Sequence, residues 1–240
     1  MDKQNIKLIN KESVAEGTMM FTFGKPLDFI FKAGQSIDLT LINPPETDAE
    51  GNTRTFSLVS APAEDYLAVT TRMRDTAFKR VLKNTPLNTE FEFAGPFGSF
   101  TLHNNSSKPA VFIVGGIGIT PFYSILKYAA MSHLPHKIYL FYSNRRPEDT
   151  AFLTELEAMK KINPNYTLIA TMTEMERSNK HWTGEKGFIT KELIKKYVPD
   201  AFPPIYYSAG PPAMVSAMRK ILNELGIDDD DIRTEEFSGY

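Results

Sequence analysis

The sequence contains no cysteine among its 240 residues. That absence excludes disulfide bonds, a thiolate nucleophile, cysteine-ligated zinc and iron–sulfur clusters held by this chain. It is also typical of proteins from a reducing compartment. No run of about 18 apolar residues is present, so we expect no membrane span. The first ten residues, MDKQNIKLIN, lack an apolar segment. We therefore expect no signal peptide and a cytoplasmic location.

An excess of charge of one sign is missing as well. The 27 Lys and Arg residues are balanced by 29 Asp and Glu, which gives a formal net charge of −2. A nucleic acid or an anionic membrane is therefore not an expected partner. Glycine and proline number only 14 and 16, which excludes collagen-like and low-complexity chains. The apolar content of 42% is enough for the cores of two modest domains.

The N-terminal part of the chain has the pattern of short β-strands. Four segments rich in aromatic, threonine and β-branched residues are separated by glycine and proline, at 19–23, 36–41, 55–59 and 66–71. Short strands at this spacing predict an antiparallel barrel or sandwich. One helix is predicted over 76–83, and residues 42–54 form a polar loop.

Beyond about residue 105 the pattern changes to apolar strands that alternate with helices. The strands, at 110–114, 138–142, 167–170 and 205–208, are apolar throughout, as in a parallel sheet buried on both faces. This alternation predicts a doubly wound α/β domain. We therefore predict two domains, 1–104 and 105–240, joined through the polar segment 103–108.

Two strand–glycine–helix junctions lie in the second domain. Gly115-Gly116-Ile117-Gly118 follows the first apolar strand, and such a loop lets a phosphate approach the backbone and a helix N-terminus. Pro121 stands where GxGxxG would have its third glycine, so a plain tight turn remains the alternative. The second junction is 208–212, for which ordinary helix initiation is the alternative. Both loops are expected at the edge of the sheet where ligands bind.

The segment Arg54-Thr55-Phe56-Ser57 opens a strand of the barrel. Regular alternation puts Arg54 and Phe56 on one face and Thr55 and Ser57 on the other. A surface arginine, a core phenylalanine and a strand serine are the simpler interpretation of this segment alone.

The segment 72–78, RMRDTAF, joins a strand to the predicted helix. Free N–H groups, the Thr76 hydroxyl, Arg72 and Arg74 could hold a phosphate there. The alternative is that Asp75 caps the helix. Asp75 also disfavours the phosphate interpretation, because its charge repels an anion.

In chain order, RTFS, RMRDTAFKRVL, GPFG, GGIGITP and SAGPPAM together resemble the motifs of the ferredoxin–NADP reductase-like flavoproteins, over nearly the whole chain. The resemblance implies a Greek-key antiparallel β-barrel that binds FAD and a doubly wound α/β parallel-sheet domain that binds a nicotinamide nucleotide. It implies that Arg54 contacts the flavin phosphates and that Phe56 lies against the isoalloxazine ring. It also implies that Ser57 hydrogen-bonds near flavin N5.

The resemblance implies further cofactor-binding residues in both halves. They are Thr55, Thr70, Thr71, Arg72, Thr76, Ala77 and Phe78 in the first half, and Gly115, Gly116, Gly118, Thr120, Pro121, Gly210, Pro211 and Met214 in the second. It also implies a carboxylate and an aromatic ring from the C-terminal EEFSGY beside the flavin. Glu235 or Glu236 supplies the carboxylate, and Phe237 or Tyr240 the ring. We predict Ser57, Glu236 and Phe237 as catalytic and Tyr240 as a cofactor contact; the alternative is that Phe237 only ends a core strand.

Two residues depart from the pattern of this family. Ala209 stands where many members carry a cysteine, and Asp75 replaces a common glycine of the phosphate loop. The predicted activity is that of an FAD-dependent NAD(P)H oxidoreductase, in which nicotinamide C4 stacks over the flavin and passes hydride to N5. Electrons then go to a separate acceptor, namely a ferredoxin, an oxygenase component or a small acceptor. The alternative is a non-catalytic or regulatory flavin-binding electron-transfer subunit of a larger complex.

The choice between NADH and NADPH depends on the charges beyond the strand that ends near Thr173. Glu174 and Glu176 favour NADH, because a carboxylate accepts from a ribose 2′-hydroxyl and repels a 2′-phosphate. The basic residues Arg145, Arg146, Arg177 and Lys180 favour NADPH. We predict NADH, with NADPH as the alternative. No metal site is predicted, since His103, His133, His136 and His181 lack ligand spacing and are interpreted as surface or loop residues.

Overall fold

The chain divides into two units, each built on a six-stranded sheet. The computed structural model describes residues 3–199 and 203–237. The first unit takes in residues 1–101 and 120–128, and the second takes in 102–119 and 129–240. The domain boundary predicted at 104/105 stays a prediction.

All neighbouring strands of the first unit are antiparallel, in the order β4-β3-β6-β1-β2-β5. A bridge between Leu58 and Val69, and a 2.8 Å bond from the Val59 N–H to the Ala68 carbonyl, join the two edge strands. The sheet thereby closes into the predicted barrel. Its elements are β1 Gln4–Ala15, β2 Thr18–Gly24, β3 Ser36–Leu41, β4 Thr53–Ser57, β5 Tyr66–Arg72, α1 Ala77–Asn84 and β6 Glu90–Phe97.

Phenylalanine side chains fill the interior of this barrel. Phe21 and Phe23 are two residues apart on β2, and Phe91 and Phe93 have the same spacing on β6, so each pair points to one face of its strand. All four are buried, and the rings of Phe23 and Phe91 meet edge to face with centroids 5.2 Å apart. The barrel core thus follows from the period of two in these strands.

Every strand pair in the second unit is parallel, in the order β10-β9-β8-β7-β11-β12. The order reverses between β7 and β11, and the crevice at such a point binds ligands in open α/β sheets. The doubly wound prediction is confirmed. The elements of this unit are β7 Ala110–Gly115, β8 Ile138–Asn144, α3 Leu153–Ile162, β9 Tyr166–Met172, β10 Glu185–Lys186, α4 Lys191–Tyr197, β11 Ile205–Gly210, α5 Pro212–Glu224 and β12 Ile232–Glu236. Helix α2, Ile119–Met131, follows β7 in the chain, and its residues 120–128 are grouped with the first unit.

Two of the four histidines interpreted as surface or loop residues are loop residues of the second unit that are buried. His103 and His136 lie in connecting segments, yet they are only 7% and 6% exposed. His103 Nδ1 lies 3.0 Å from the Tyr207 hydroxyl, and His136 Nε2 lies 2.9 Å from the His103 carbonyl oxygen. These bonds replace water at His103 Nδ1 and His136 Nε2, and burial lowers the pKa of His103.

Within residues 3–199 and 203–237, no helix is long and apolar enough to cross a bilayer.

Candidate functional site

The RTFS segment forms β4 and shows the predicted alternation. Arg54 and Phe56 both contact Phe78 of α1, with the guanidinium carbon 5.1 Å from the ring centroid and the two rings 5.9 Å apart. On the other face, Thr55 is exposed and its hydroxyl donates to Asp38 over 2.5 Å. Ser57 ends the strand and is only 5% exposed. An arginine and an aromatic ring are thus held together on one face of β4.

Strands β4 and β5 separate on one side of the Leu58–Val69 bridge. Among the described residues, no β-ladder joins the end of β4 to Thr70 and Thr71, because β4 pairs with β3 and β5 with β2. The Thr70 hydroxyl is buried and has no hydrogen-bond partner within the described chain. A buried hydroxyl without a partner costs free energy. The Thr70 hydroxyl would therefore gain from a hydrogen bond to a polar atom of a ligand. Arg72 is the last residue of β5.

Helix α1 begins beside β4. Thr76 is its N-cap, and the Thr76 hydroxyl accepts the amide of Lys79 over 3.3 Å. The alternative in which Asp75 caps the helix is therefore wrong, because the Asp75 carboxylate pairs with Arg80 on the exposed surface. The Ala77 amide, in the first turn, points instead to a carboxylate from a distant loop.

That carboxylate belongs to Asp48, in the polar loop between β3 and β4. One Asp48 oxygen accepts the Ala77 amide over 3.2 Å, and the other accepts Arg54 Nη2 over 3.0 Å. Burial of Asp48 acts to raise the pKa of its carboxyl group, but hydrogen bonds from Arg54 and the Glu50 amide outweigh it, so the pKa lies below its ordinary value. An arginine and a helix amide therefore converge on one oxyanion. Sequence analysis missed Asp48, since it lies 29 positions before Ala77.

Positive charge is concentrated around this oxyanion position. Lys79 is half-buried, and its pKa is lowered by burial first and then by the charges of Arg74 and Arg54. Arg54 forms ion pairs with both Asp48 and Glu50, and its Nη2 lies 3.0 Å from a carboxylate oxygen of each. A group with several negative charges would stabilise the protonated form of Lys79. We call the oxyanion position formed by Arg54 and the Ala77 amide the barrel anion site.

In the second unit the two predicted glycine loops meet at the point where the strand order reverses. A Cβ atom on Gly118 would lie 2.4 Å from the Ala209 carbonyl oxygen, and one on Gly115 would lie 2.2 Å from Met214 Sδ. Gly210 has φ +154° and approaches Gly115. At Gly118 the obstructing atoms are backbone, so the two loops can approach this closely only with glycine there, whereas the flexible Met214 side chain could move away from a Cβ at residue 115.

Helix starts follow both glycine loops, as predicted. Thr120, which is buried, and Pro121 lie in the first turn of α2. Gly210 ends β11, and Pro211 caps α5 directly after it. Backbone amides of two helix starts therefore lie beside the switch point. We call the loops 115–118 and 208–211 the sheet-edge site.

The C-terminal strand β12 extends along β11 to the same edge. Glu235 is in register with Ala209, and the Phe237 amide donates to the Gly210 carbonyl over 3.0 Å. Alternation puts Glu235 and Glu236 on opposite faces: Glu236 is exposed, whereas Glu235 Oε2 is buried and has no partner within the described residues. Burial raises the pKa of Glu235 to about 7. The roles of Glu236 and Phe237 stay predictions.

Tyr240, the predicted cofactor contact at the C-terminus, lies outside the described residues.

The charges that bear on nucleotide choice lie at the ends of β8 and β9. The Glu174 carboxylate is 2.5 Å from Arg177 Nη1 and 3.6 Å from Arg145 Nε. Both arginines are well exposed, with about two thirds or more of their side chains accessible. Arg146 is paired with Asp149 instead. Of the four competing cations, Arg145 and Arg177 therefore cluster with the Glu174 carboxylate.

Known proteins resemble both units. Residues 112–220 match the family of oxidoreductase NAD-binding domains. A glycine betaine monooxygenase reductase subunit of Chromohalobacter salexigens is 26% identical over 223 residues, which cover 92% of this chain and 60% of that relative. NADH-cytochrome b5 reductase 1 of Debaryomyces hansenii is 29% identical over 235 residues, 94% of this chain and 80% of the relative. This chain thus spans less than two thirds of the first of these relatives.

A crystal structure of a ferredoxin NADP+ reductase from Neisseria gonorrhoeae, with bound FAD and NADP, superposes with a TM-score of 0.79. The match covers 98% of each chain at 20% identity, and it shows that the two share a fold. A barrel followed by a parallel-sheet NAD-binding domain defines a class of two-unit reductases. The chain resembles the ferredoxin–NADP reductase-like flavoproteins in its motifs and in its fold, and its second half matches their type of NAD-binding domain.

Proposed function

We propose that the chain is an FAD-dependent NAD(P)H oxidoreductase that passes electrons to a separate acceptor. The observation that carries the proposal is the barrel anion site, where Arg54 and the Ala77 amide hold one oxyanion. It belongs to a chain whose second unit carries a NAD-binding domain. The first unit thus offers a phosphate-binding site for FAD, and the second offers one for a nicotinamide nucleotide.

The residues of the barrel fit the pyrophosphate and ring of FAD. Arg54 and Lys79 offer positive charge, and the α1 amide offers an N–H group, which are the donors that phosphate oxygens prefer. Thr70 contributes a buried hydroxyl that is otherwise unused. Phe56 gives an apolar face next to Arg54 on the same strand. Bound FAD would supply the redox chemistry, namely uptake of two electrons from a nicotinamide and their release singly or as a pair.

We propose that hydroxyl and carboxyl groups of this chain hold and release the protons exchanged at the flavin. Ser57 offers a hydroxyl at the end of β4, where it donates to a bound ring nitrogen in our proposal. Glu236 and Phe237 remain the proposed acid and aromatic ring of the C-terminal strand. Glu235 is the better-suited carboxyl in one respect, because a pKa of about 7 lets Oε2 both hold and release a proton near neutral pH.

For the nucleotide we propose binding at the sheet-edge site, with NADH preferred. Gly115 and Gly118 let their loop pack closely against Met214 and Ala209, and the helix starts that follow the two loops offer backbone amides to a phosphate. Glu174 bridges Arg145 and Arg177, so those cations are already paired. A 2′-phosphate would have to displace that carboxylate, and NADPH is therefore disfavoured.

The acceptor is proposed to be a ferredoxin, an oxygenase component or a small molecule. The relative from Chromohalobacter salexigens is named as the reductase subunit of a monooxygenase, which supports an oxygenase component. The rival function is a flavin-binding electron-transfer subunit without its own turnover. The cytoplasmic location stays a prediction.

Two measurements on the purified chain test the proposed function. Bound cofactor is released by heat and identified by chromatography, with iron measured in parallel; we expect FAD at one per chain and no stoichiometric iron. NADH oxidation is then followed with ferricyanide as an artificial acceptor. Recovery of FMN alone or stoichiometric iron would contradict the proposal. Bound FAD without NADH turnover would favour the rival function.

A further inference from the structure

We propose that Asp48 is an internal anion that competes with the cofactor phosphate for the barrel anion site. In this inference, which rests on the proposed function, the loop 42–52 closes the site when FAD is absent. Cofactor binding then requires the Asp48 carboxylate to leave Arg54 and the Ala77 amide. Asp48 thereby sets the affinity for FAD.

The geometry of Asp48 is that of a bound anion. Its two oxygens divide between the guanidinium, at 3.0 Å, and the helix amide, at 3.2 Å. Those are the two kinds of donor that hold phosphate in proteins. The side chain is about 70% covered, and the pKa of the carboxyl group lies below its ordinary value. Asp48 is therefore charged at neutral pH while it is held there.

Asp48 and a phosphate group cannot share these donors. Each has at least one full negative charge, and two such charges within about 4 Å repel each other strongly in a partly buried site. The Ala77 amide also has a single hydrogen, which Asp48 already engages. A phosphate on Arg54 and Ala77 therefore needs the carboxylate to move away.

The loop that carries Asp48 is attached mainly through ionic contacts that can separate. Glu46 holds Arg80 with two oxygens, at 3.1 and 2.6 Å, on the exposed surface. Arg54 also donates to the carbonyls of Glu50 and Gly51. The exposed Glu46–Arg80 pair is screened by water and contributes little to holding the loop. The Arg54 side chain is only 18% exposed, so a ligand must compete for it directly, and a group with several negative charges does so better than one carboxylate.

Glu50 offers a matched control, because its carboxylate also lies 3.0 Å from Arg54 in the same loop. Glu50 is 74% exposed, and its carboxylate does not accept the Ala77 amide in the described contacts. Asp48→Asn and Glu50→Gln each remove one negative charge near Arg54. Only the first removes the negative charge from the Ala77 amide, because asparagine offers it a neutral carbonyl oxygen at most.

The test measures FAD binding to apoprotein of the wild type and both variants by quenching of flavin fluorescence. We expect Asp48→Asn to bind FAD about tenfold more tightly than the wild type, and Glu50→Gln to stay within about twofold of it. Equal gains in both variants, or weaker binding by Asp48→Asn, would overturn the inference. Thermal melting of the apoproteins checks that each variant is folded.

A second measurement needs no variant. Amide hydrogen exchange in residues 46–52 of the wild type should become faster when FAD binds, because the loop leaves its position. Slower exchange in that segment would contradict the inference, whatever the variants do. If the wild-type apoprotein binds no FAD at all, the proposed function itself fails; if it binds FAD normally while the two results above are absent, only the role of Asp48 fails.

Discussion

Substitution of Gly118 by alanine should separate the two loops of the sheet-edge site. The added Cβ would lie 2.4 Å from the Ala209 oxygen, 2.7 Å from the Ala209 carbonyl carbon and 2.8 Å from the Gly210 nitrogen. Ordinary contact begins at 3.4 Å, so backbone must retreat by about 1 Å. All three atoms belong to the backbone at the end of β11, which cannot rotate away as a side chain would.

The cost follows from overpacking, which is typically about 1–3 kcal/mol. For a chain of this size that corresponds to a fall in Tm of roughly 2–12 °C. Because the same backbone borders the proposed nucleotide site, we also expect a higher Kd for NADH with unchanged FAD content. Calorimetry gives the Tm, and titration under anaerobic conditions gives the Kd.

Gly24→Ala is the control for this experiment. A Cβ at Gly24 meets nothing within 4 Å, and its φ is not positive, so its Tm should change by no more than about 1–2 °C. If Gly118→Ala melts and binds NADH like the wild type, the close approach of the two loops is not a constraint and the argument for this site is wrong.

Three further predictions concern the barrel, the nucleotide and pH. Arg54→Ala should lose FAD on dilution, because charge-assisted hydrogen bonds of roughly 1.5–3 kcal/mol each are removed. Ser57→Ala should keep FAD, but its flavin should be reduced more slowly in stopped-flow measurements. If the flavin of Ser57→Ala is reduced at the wild-type rate, Ser57 has no part in the reaction. The wild type should have a higher kcat/KM with NADH than with NADPH, and Glu174→Gln should reduce this preference because it frees Arg145. A wild-type preference for NADPH above about tenfold would mean that the basic residues determine the choice of nucleotide. Burial lowers the pKa of His103, so the unfolded chain binds a proton on His103 at a higher pH than the folded chain does. The free energy of unfolding, measured with urea, should therefore fall as the pH drops below about 6.5. In His103→Gln this free energy should depend less steeply on pH, and an equally steep dependence would exclude His103 as the cause.

The features that sequence analysis predicted well are those with strong local signals. Ala110–Val114 is apolar at every position, and all five residues are buried in β7. Alternation in 54–57 placed Arg54 and Phe56 on one face, which their shared contact with Phe78 confirms. Glycines before helices indicated both loops of the sheet-edge site. Each of these signals is contained within a few consecutive residues.

The features that sequence analysis missed depend on distant partners. Strand β1 has 12 residues but only two buried ones, Ile6 and Leu8, so it lacks a regular apolar alternation. Asp48 looked like one more acid in a polar loop, and its meaning comes from Ala77, across the fold. His103 and His136 were interpreted as surface or loop residues, and their burial depends on the Tyr207 hydroxyl and on the His103 carbonyl, which no local pattern indicates. Such pairings arise from tertiary structure and have no local pattern.

The proposed function requires one chain both to hold FAD and to reduce it with NADH. Anaerobic titration of the FAD-loaded protein with NADH, followed by visible absorbance, measures this reduction. We expect the flavin absorbance to bleach in proportion to the added NADH, with an end point at one NADH per bound FAD. A flavin spectrum that NADH leaves unchanged, in protein shown to contain FAD, would rule out the proposed oxidoreductase.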